Sequence, residues 1–250
     1  MCNTLPLFIT KRMKGLFIIA AILFIATSTE AQEIKKIEIP LYGNDTSLWY
    51  KNFSRLIPLM KMPNLQTNNA SFYFRVWNLS PYSVTSIWSD EHALHGTITR
   101  FAVRYNKAMY QKGIQVIEKV YYKTKKLDTA MVNRIYQAFV SQQVEHIPTD
   151  NKIQGWGDGL DGEEFMIEIS TRNHYAFRTY WSPRSFADSI PEAKRIHLFT
   201  QYLFNTLDIN AYIKNFNPPV GTSGSGGSGV PGIRIETTGP KASRSIYDRL

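Results

Sequence analysis

Residues 96–105, GTITRFAVRY, and 113–123, GIQVIEKVYYK, decide the fold. Both runs are rich in Ile, Val, Thr and Tyr, residues that suit a pleated, half-buried surface. Asn106 to Gly113 between them is long enough for a hairpin loop. Just beyond, the period changes. Asp128 is a good N-cap, and Met131, Val132, Ile135, Tyr136, Phe139 and Val140 follow at spacings of three and four. That stripe predicts an amphipathic helix laid on the sheet.

Working outward from this pair, residues 71–79 (SFYFRVWNL) and 83–88 predict two more strands. In the first, Phe72, Phe74 and Val76 alternate with Tyr73, Arg75 and Trp77. Residues 33–41 alternate weakly and predict a first strand ending near Pro40. Asn44, Asp45 and Thr46 can cap a helix carrying Leu48, Trp49, Phe53, Leu56 and Ile57, which Pro58 and Pro63 would end. Phe165–Ser170 and His174–Trp181 predict a hairpin joined by Thr171-Arg172-Asn173. Pro191 and Glu192 open a long helix with Ile196, Phe199, Leu203, Leu207 and Ile213 on one stripe. Strands and helices segregate, so the fold class is α+β: an antiparallel sheet of about five to seven strands packed by two or three helices on one face.

The N-terminus reads as an export signal. Lys11, Arg12 and Lys14 precede an uncharged apolar run, Gly15–Thr27, and Thr29-Glu30-Ala31 puts small residues where a signal peptidase reads them. The run is roughly 20 Å long as a helix, against about 30 Å of hydrocarbon, so it is short for an anchor. Met13 is a plausible start, because the segment from there is a complete signal. The expected division is 1–31 signal peptide, 32–216 globular domain, 217–232 Gly/Ser/Pro linker and 233–250 flexible tail. The tail's one strand-like piece is Ile233–Glu236. The expected location is periplasmic or secreted, with the membrane met only through the signal before cleavage.

Cleavage after Ala31 would remove Cys2, the only cysteine, and with it thiolate, disulfide and Cys-zinc chemistry. It would also remove three bases and one acid, lowering the net charge from +9 to +7. The remaining bases are scattered, and the densest patch is Tyr121–Lys126. Outside the cytoplasm a nucleic-acid partner is not expected; an envelope protein or a glycan is.

Two clusters carry candidate chemistry. Residues 155–164 hold four glycines and four carboxylates before a strand. Trp156, Asp158, Asp161, Tyr175, Tyr180 and Trp181 are the binding candidates there, an aromatic platform beside hard oxygen donors. The spacing is wrong for an EF-hand loop, since Leu160 and Gly162 stand where Asp or Asn is needed, and Asp161-Gly162 is also a hairpin-turn signal. Asp90, His92 and His95 are the metal candidates, beside Glu91 but without a His-Glu-x-x-His spacing. There is no Gly-x-Ser-x-Gly elbow in the globular part, no phosphate loop and no dinucleotide fingerprint, so no cofactor is expected and no catalytic residue is assigned.

Gly159-Leu160-Asp161-Gly162, Ile167-Glu168-Ile169, Tyr175, Tyr180-Trp181-Ser182-Pro183 and Pro191-Glu192-Ala193 together resemble a pattern in uncharacterised exported bacterial proteins. There an Asp-Gly turn starts a hairpin, Tyr and Trp-x-Pro close it, and a helix packs behind. The resemblance covers about residues 155–210; it implies a shared fold unit and no activity. The expectation is therefore an exported, non-enzymatic binding or accessory protein, with the 155–183 hairpin as its recognition surface. The alternatives are a periplasmic metal-dependent hydrolase and an assembly partner whose tail docks by strand addition. N-terminal sequencing of the protein recovered from the periplasm or medium should begin at Gln32; a chain still beginning at Met1 or Met13 would show an uncleaved signal.

Overall fold

The computed structural model describes residues 35–79, 82–90, 92–112, 115–157 and 162–223. The expected signal peptide (1–31), Asp158, Asp161, most of the expected linker and the expected 233–250 tail lie outside them. Among the described residues no helix is long and apolar enough to cross a membrane.

The expected α+β fold is present. Strands β1 (Lys36–Glu38), β4 (Phe72–Leu79), β5 (Tyr82–Ser89), β6 (Leu94–Tyr105), β7 (Ile117–Lys126), β8 (Glu164–Thr171) and β9 (His174–Trp181) form one sheet in the order β1-β9-β8-β4-β5-β6-β7. Every pairing is antiparallel except β1 with β9. Two short strands, β2 (Leu41–Tyr42) and β3 (Asp45–Thr46), form a separate hairpin. Asp45 and Thr46 therefore do not cap the first helix, α1 (Leu48–Leu59). Ser47 holds the cap position, and Pro58 sits in the last turn instead of ending the helix before it.

Alternation along β4 sorts the core into two halves. Phe74 and Val76 join Ile87, Ile98, Ile167 and Ile169 on one face, under α3 (Thr129–Ser141) and α5 (Pro191–Thr206), which follow the short helices α2 (Lys107–Tyr110) and α4 (Pro183–Phe186). Tyr73 and Trp77 join Tyr82, Val84, Phe101, Met166 and Phe177 on the other, under α1 and the loop after it. Two helices do lie on one face as expected, but α1 covers the opposite face, so the sheet is buried on both sides. The sequence carries this in β4 itself. Apart from Arg75, both alternating sets are apolar or aromatic, where a half-solvated strand would alternate apolar with polar.

On the α3–α5 face Phe74 stacks on Phe139 at 4.2 Å and meets Phe199 edge-on at 6.1 Å. Burying each such ring contributes about 1.5–3 kcal/mol. Asp128 caps α3 as expected, accepting the Met131 amide at 2.8 Å. Gly96 is where β6 passes beneath α3: a Cβ there would meet Ile87 at 2.7 Å and Val132 at 2.8 Å.

The α1 face holds a buried ion pair. Arg75 and Glu168 stand opposite each other in the β4–β8 ladder, both essentially inaccessible to solvent. Arg75 Nη1 donates to Glu168 Oε2 at 2.8 Å, and Nη2 donates to the Pro63 carbonyl at 3.0 Å. The guanidinium lies between the Tyr73 and Trp77 rings. Glu168 also accepts from Trp77 Nε1 at 2.8 Å and from the Tyr175 hydroxyl at 2.9 Å. Burial, and then the Glu168 charge, push the Tyr175 hydroxyl far up, so it stays protonated and donates. Arg75→Ala should cost about 3–5 kcal/mol in urea unfolding, because Glu168 is left buried and unpaired. Replacing both, as Arg75→Met with Glu168→Leu, should recover most of that loss. A single variant no less stable than the parent would contradict the role of the pair.

Candidate functional site

After α1, Lys61 takes a left-handed conformation (φ 56°) and turns the chain back over the sheet. The Met62 amide donates to the Ile57 carbonyl at 3.0 Å, which fastens that turn to the helix end. Residues 60–70 stop short of β6 and β7, and a cleft of about 340 Å³ opens beside them. Its wall is Met60–Pro63, Asn68 and Ala70; its floor is Tyr73, Ser86, Trp88, Thr97, Thr99 and Thr124 from four successive strands.

Register assembles the floor. Tyr73 stands opposite Trp88, and Trp88 opposite His95. Their rings form a ladder across the sheet: Tyr73 on Trp88 at 5.6 Å and 14°, Trp88 on His95 at 5.7 Å and 31°. Beside it lie the hydroxyls, with Thr99 and Thr124 sharing a hydrogen bond at 2.9 Å. Lys61 is the one charged side chain of the lining. This is an aromatic surface with a few fixed donors and acceptors, the make-up of a site for a small polar ligand.

Two of the three metal candidates meet at the end of this ladder. Asp90 Oδ1 accepts the amides of His92 (2.8 Å) and Ala93 (2.9 Å), while Oδ2 holds His95 Nε2. Asp90 thus ties the β5–β6 turn and steers the His95 ring towards Trp88. His92 is exposed in the turn, and among the described residues no three His, Cys, Asp or Glu side chains are placed to hold a metal ion.

The binding candidates are dispersed. Trp156 and Tyr180 are buried in the α3–α5 core with rings 5.8 Å apart, and their polar tips are used internally. Trp156 Nε1 donates to the Trp181 carbonyl at 2.7 Å, and the Tyr180 hydroxyl to the Ile147 carbonyl at 2.8 Å. Tyr175 lies on the opposite face, bound to Glu168. Trp181 packs on Phe186, and Asp158 and Asp161 are outside the described residues. Strand alternation explains the separation, since Tyr175 and Tyr180 differ by an odd number and must face opposite sides. The expected platform is therefore not one surface. Gly162 packs so tightly against Ser182 and Trp181 that a side chain there would clash with both.

Tyr73, Trp88 and the threonines belong to no motif that marks a site in the sequence. A signal for them exists: counting back along both strands from the Leu79–Tyr82 pair places Tyr73 opposite Trp88. Comparison with protein families, with curated proteins and with solved structures found no match to the chain.

The Asp90 carboxyl is held down at about 2, below the ordinary 3.8, chiefly by the His92 and Ala93 amides and then by His95. A lowered carboxyl pKa contributes stability above the ordinary value and loses it as pH falls through the folded one. Urea midpoints taken from pH 5 down to pH 2.5 should fall more steeply in the parent than in Asp90→Asn; parallel slopes would show that the turn does not depend on this carboxylate.

Proposed function

We propose that the chain is an exported, non-enzymatic binding protein of the bacterial envelope that takes a glycan strand in the cleft beside α1. The observation that carries this reading is the half-buried Trp88 ring, backed by buried Tyr73, set beside the accessible hydroxyls of Thr97 and Thr124. Aromatic faces suit the apolar C–H face of a sugar ring, and hydroxyl and amide side chains suit its hydroxyl groups. Threonine hydroxyls donate and accept alike, so they match a ligand whose groups do the same. The floor is built on four hydrogen-bonded strands, so it is in place before the ligand arrives and little ordering cost attaches to binding. The export signal supports the location, and the basic balance of the chain suits anionic envelope polymers.

Titration with soluble envelope-type oligosaccharides (peptidoglycan fragments and neutral glucans) should change the tryptophan fluorescence saturably. Trp88→Ala should weaken binding by about tenfold or more, the size of losing a central aromatic contact. Thr124→Val should cost a few-fold. Trp181→Phe, away from the cleft, should bind as the parent does. No saturable change with any of these sugars would remove the glycan reading.

A further inference from the structure

The two edges of the sheet differ. β1 is three residues long. β7 runs for ten, Ile117–Lys126, and pairs only with β6 among the described residues. The direction of its free main-chain groups follows from a bond two strands in. The Val103 amide and carbonyl both bond Ser223, at 3.0 and 2.9 Å, on the side of β6 away from β7. Val103 and Val120 are therefore a non-hydrogen-bonded pair. Alternation then turns the N–H and C=O of Val120, Tyr122, Thr124 and Lys126 outward from the sheet. The Lys119, Lys123 and Lys125 amides point inward to β6.

The side chains of this edge are strongly basic. β7 carries Lys119, Lys123, Lys125 and Lys126 against the single Glu118, which is paired with Arg104. Lys119 lies over the Tyr121 ring, Lys125 over the Tyr212 ring, and Lys123 Nζ donates to the Lys214 carbonyl at 2.8 Å. These partners are neutral; they hold three ammonium groups along one face of the strand without cancelling their charge. Among the described residues none of the four lysines forms an ion pair.

We propose that β7 is a docking edge for an extended acidic segment of a partner protein, which adds to the sheet as an eighth strand. Lysines on an open edge repel a second copy of the same strand, the usual safeguard against edge-to-edge aggregation. The same charges favour a strand with carboxylates at alternate positions, which would face Lys119, Lys123 and Lys125. The chain's own C-terminal stretch is a poor occupant, because residues 233–250 carry four Lys or Arg against two Asp or Glu. This edge meets the proposed glycan cleft at Thr124, whose side chain lines the cleft while its main chain faces outward, and Trp88→Ala leaves the β7 main chain untouched.

The test uses the purified protein and a labelled ten-residue peptide alternating Glu with Val, with a Lys-for-Glu version as its counterpart. The acidic peptide should bind and slow amide exchange at Val120, Tyr122 and Thr124, and the basic one should not. Lys123→Glu with Lys125→Glu should weaken binding by about tenfold, the size of a few cross-strand charge pairs. Tyr122→Pro removes an outward N–H without touching the β6 ladder, a position where an edge strand tolerates proline. It should abolish binding, whereas Tyr122→Ala retains it. Equal binding by folded Tyr122→Pro, or by the double lysine variant, would overturn the proposal. So would a β7-linked dimer. Protection of the outward amides in the unliganded protein that vanishes on deleting residues 224–250 would overturn it too, by assigning the edge to the tail.

Discussion

Much of this structure hangs on Arg75 facing Glu168 across the β4–β8 ladder. A one-residue slip of either strand would bury a guanidinium against Ile167 or Ile169 and leave a carboxylate in an apolar layer. Hydrophobic side chains alone would tolerate such slips better, since β4 is apolar on both faces. An ion pair of this kind is weak evidence for stability, because desolvation offsets much of the attraction. Its consequence here is geometric. The pair selects one register, and every cross-strand contact on the α1 face inherits that choice.

The cleft is one of those inheritances. Arg75 reaches past the sheet to the Pro63 carbonyl, and Lys35 Nζ holds the Leu65 and Asn68 carbonyls at 3.1 and 2.6 Å. These two cations fix the loop that forms the cleft wall, at the height Tyr73 and Trp77 define. With β4 set against β8, and β5 set against β4 from the Leu79–Tyr82 pair onward, Tyr73 falls on Trp88 and Trp88 on His95. Wall and floor thus depend on the same buried charge, and neither is a free loop.

What the sequence shows and what it hides follow the range of the interactions. The helix at Asp128, the 165–181 hairpin and the Pro191 helix are written in local signals, namely caps, alternation and turn residues, and each is found in place. The location of α1 on the far face is not local. It depends on the whole sheet, although the double apolar alternation of β4 hints at it. Density of polar and aromatic residues along the sequence does not translate into one surface. Trp156, Tyr180 and Tyr175 cluster in sequence, yet large aromatics beside a sheet are drawn into its core, and parity sends them to opposite faces. Asp90 and His95 meet because they flank a turn, and their contact serves that turn. Tyr73 and Trp88, fifteen positions apart and unremarkable alone, meet only through register.

Strand lengths account for the remaining feature, the path of the chain after α5. β6 has twelve residues and β5 eight, and their pairing ends at Ser83 with Arg100. Residues 101–105 therefore overhang β5 with main-chain groups that need partners. The chain supplies one. After α6 (Ile209–Tyr212) it crosses the β6–β7 face, with Phe216 under Arg100 and Tyr212 beside Lys125, and Ser223 then bonds Val103. The Pro/Gly composition of 217–223 reads as linker, yet Thr222 is buried and Ser223 completes the overhang. Residues 217–223 are thus anchored because an over-long strand left a gap of the right size. Among the described residues, β7 is the edge that presents a long row of open main-chain groups. The sheet therefore satisfies its internal edge with its own chain and leaves its external one to lysine.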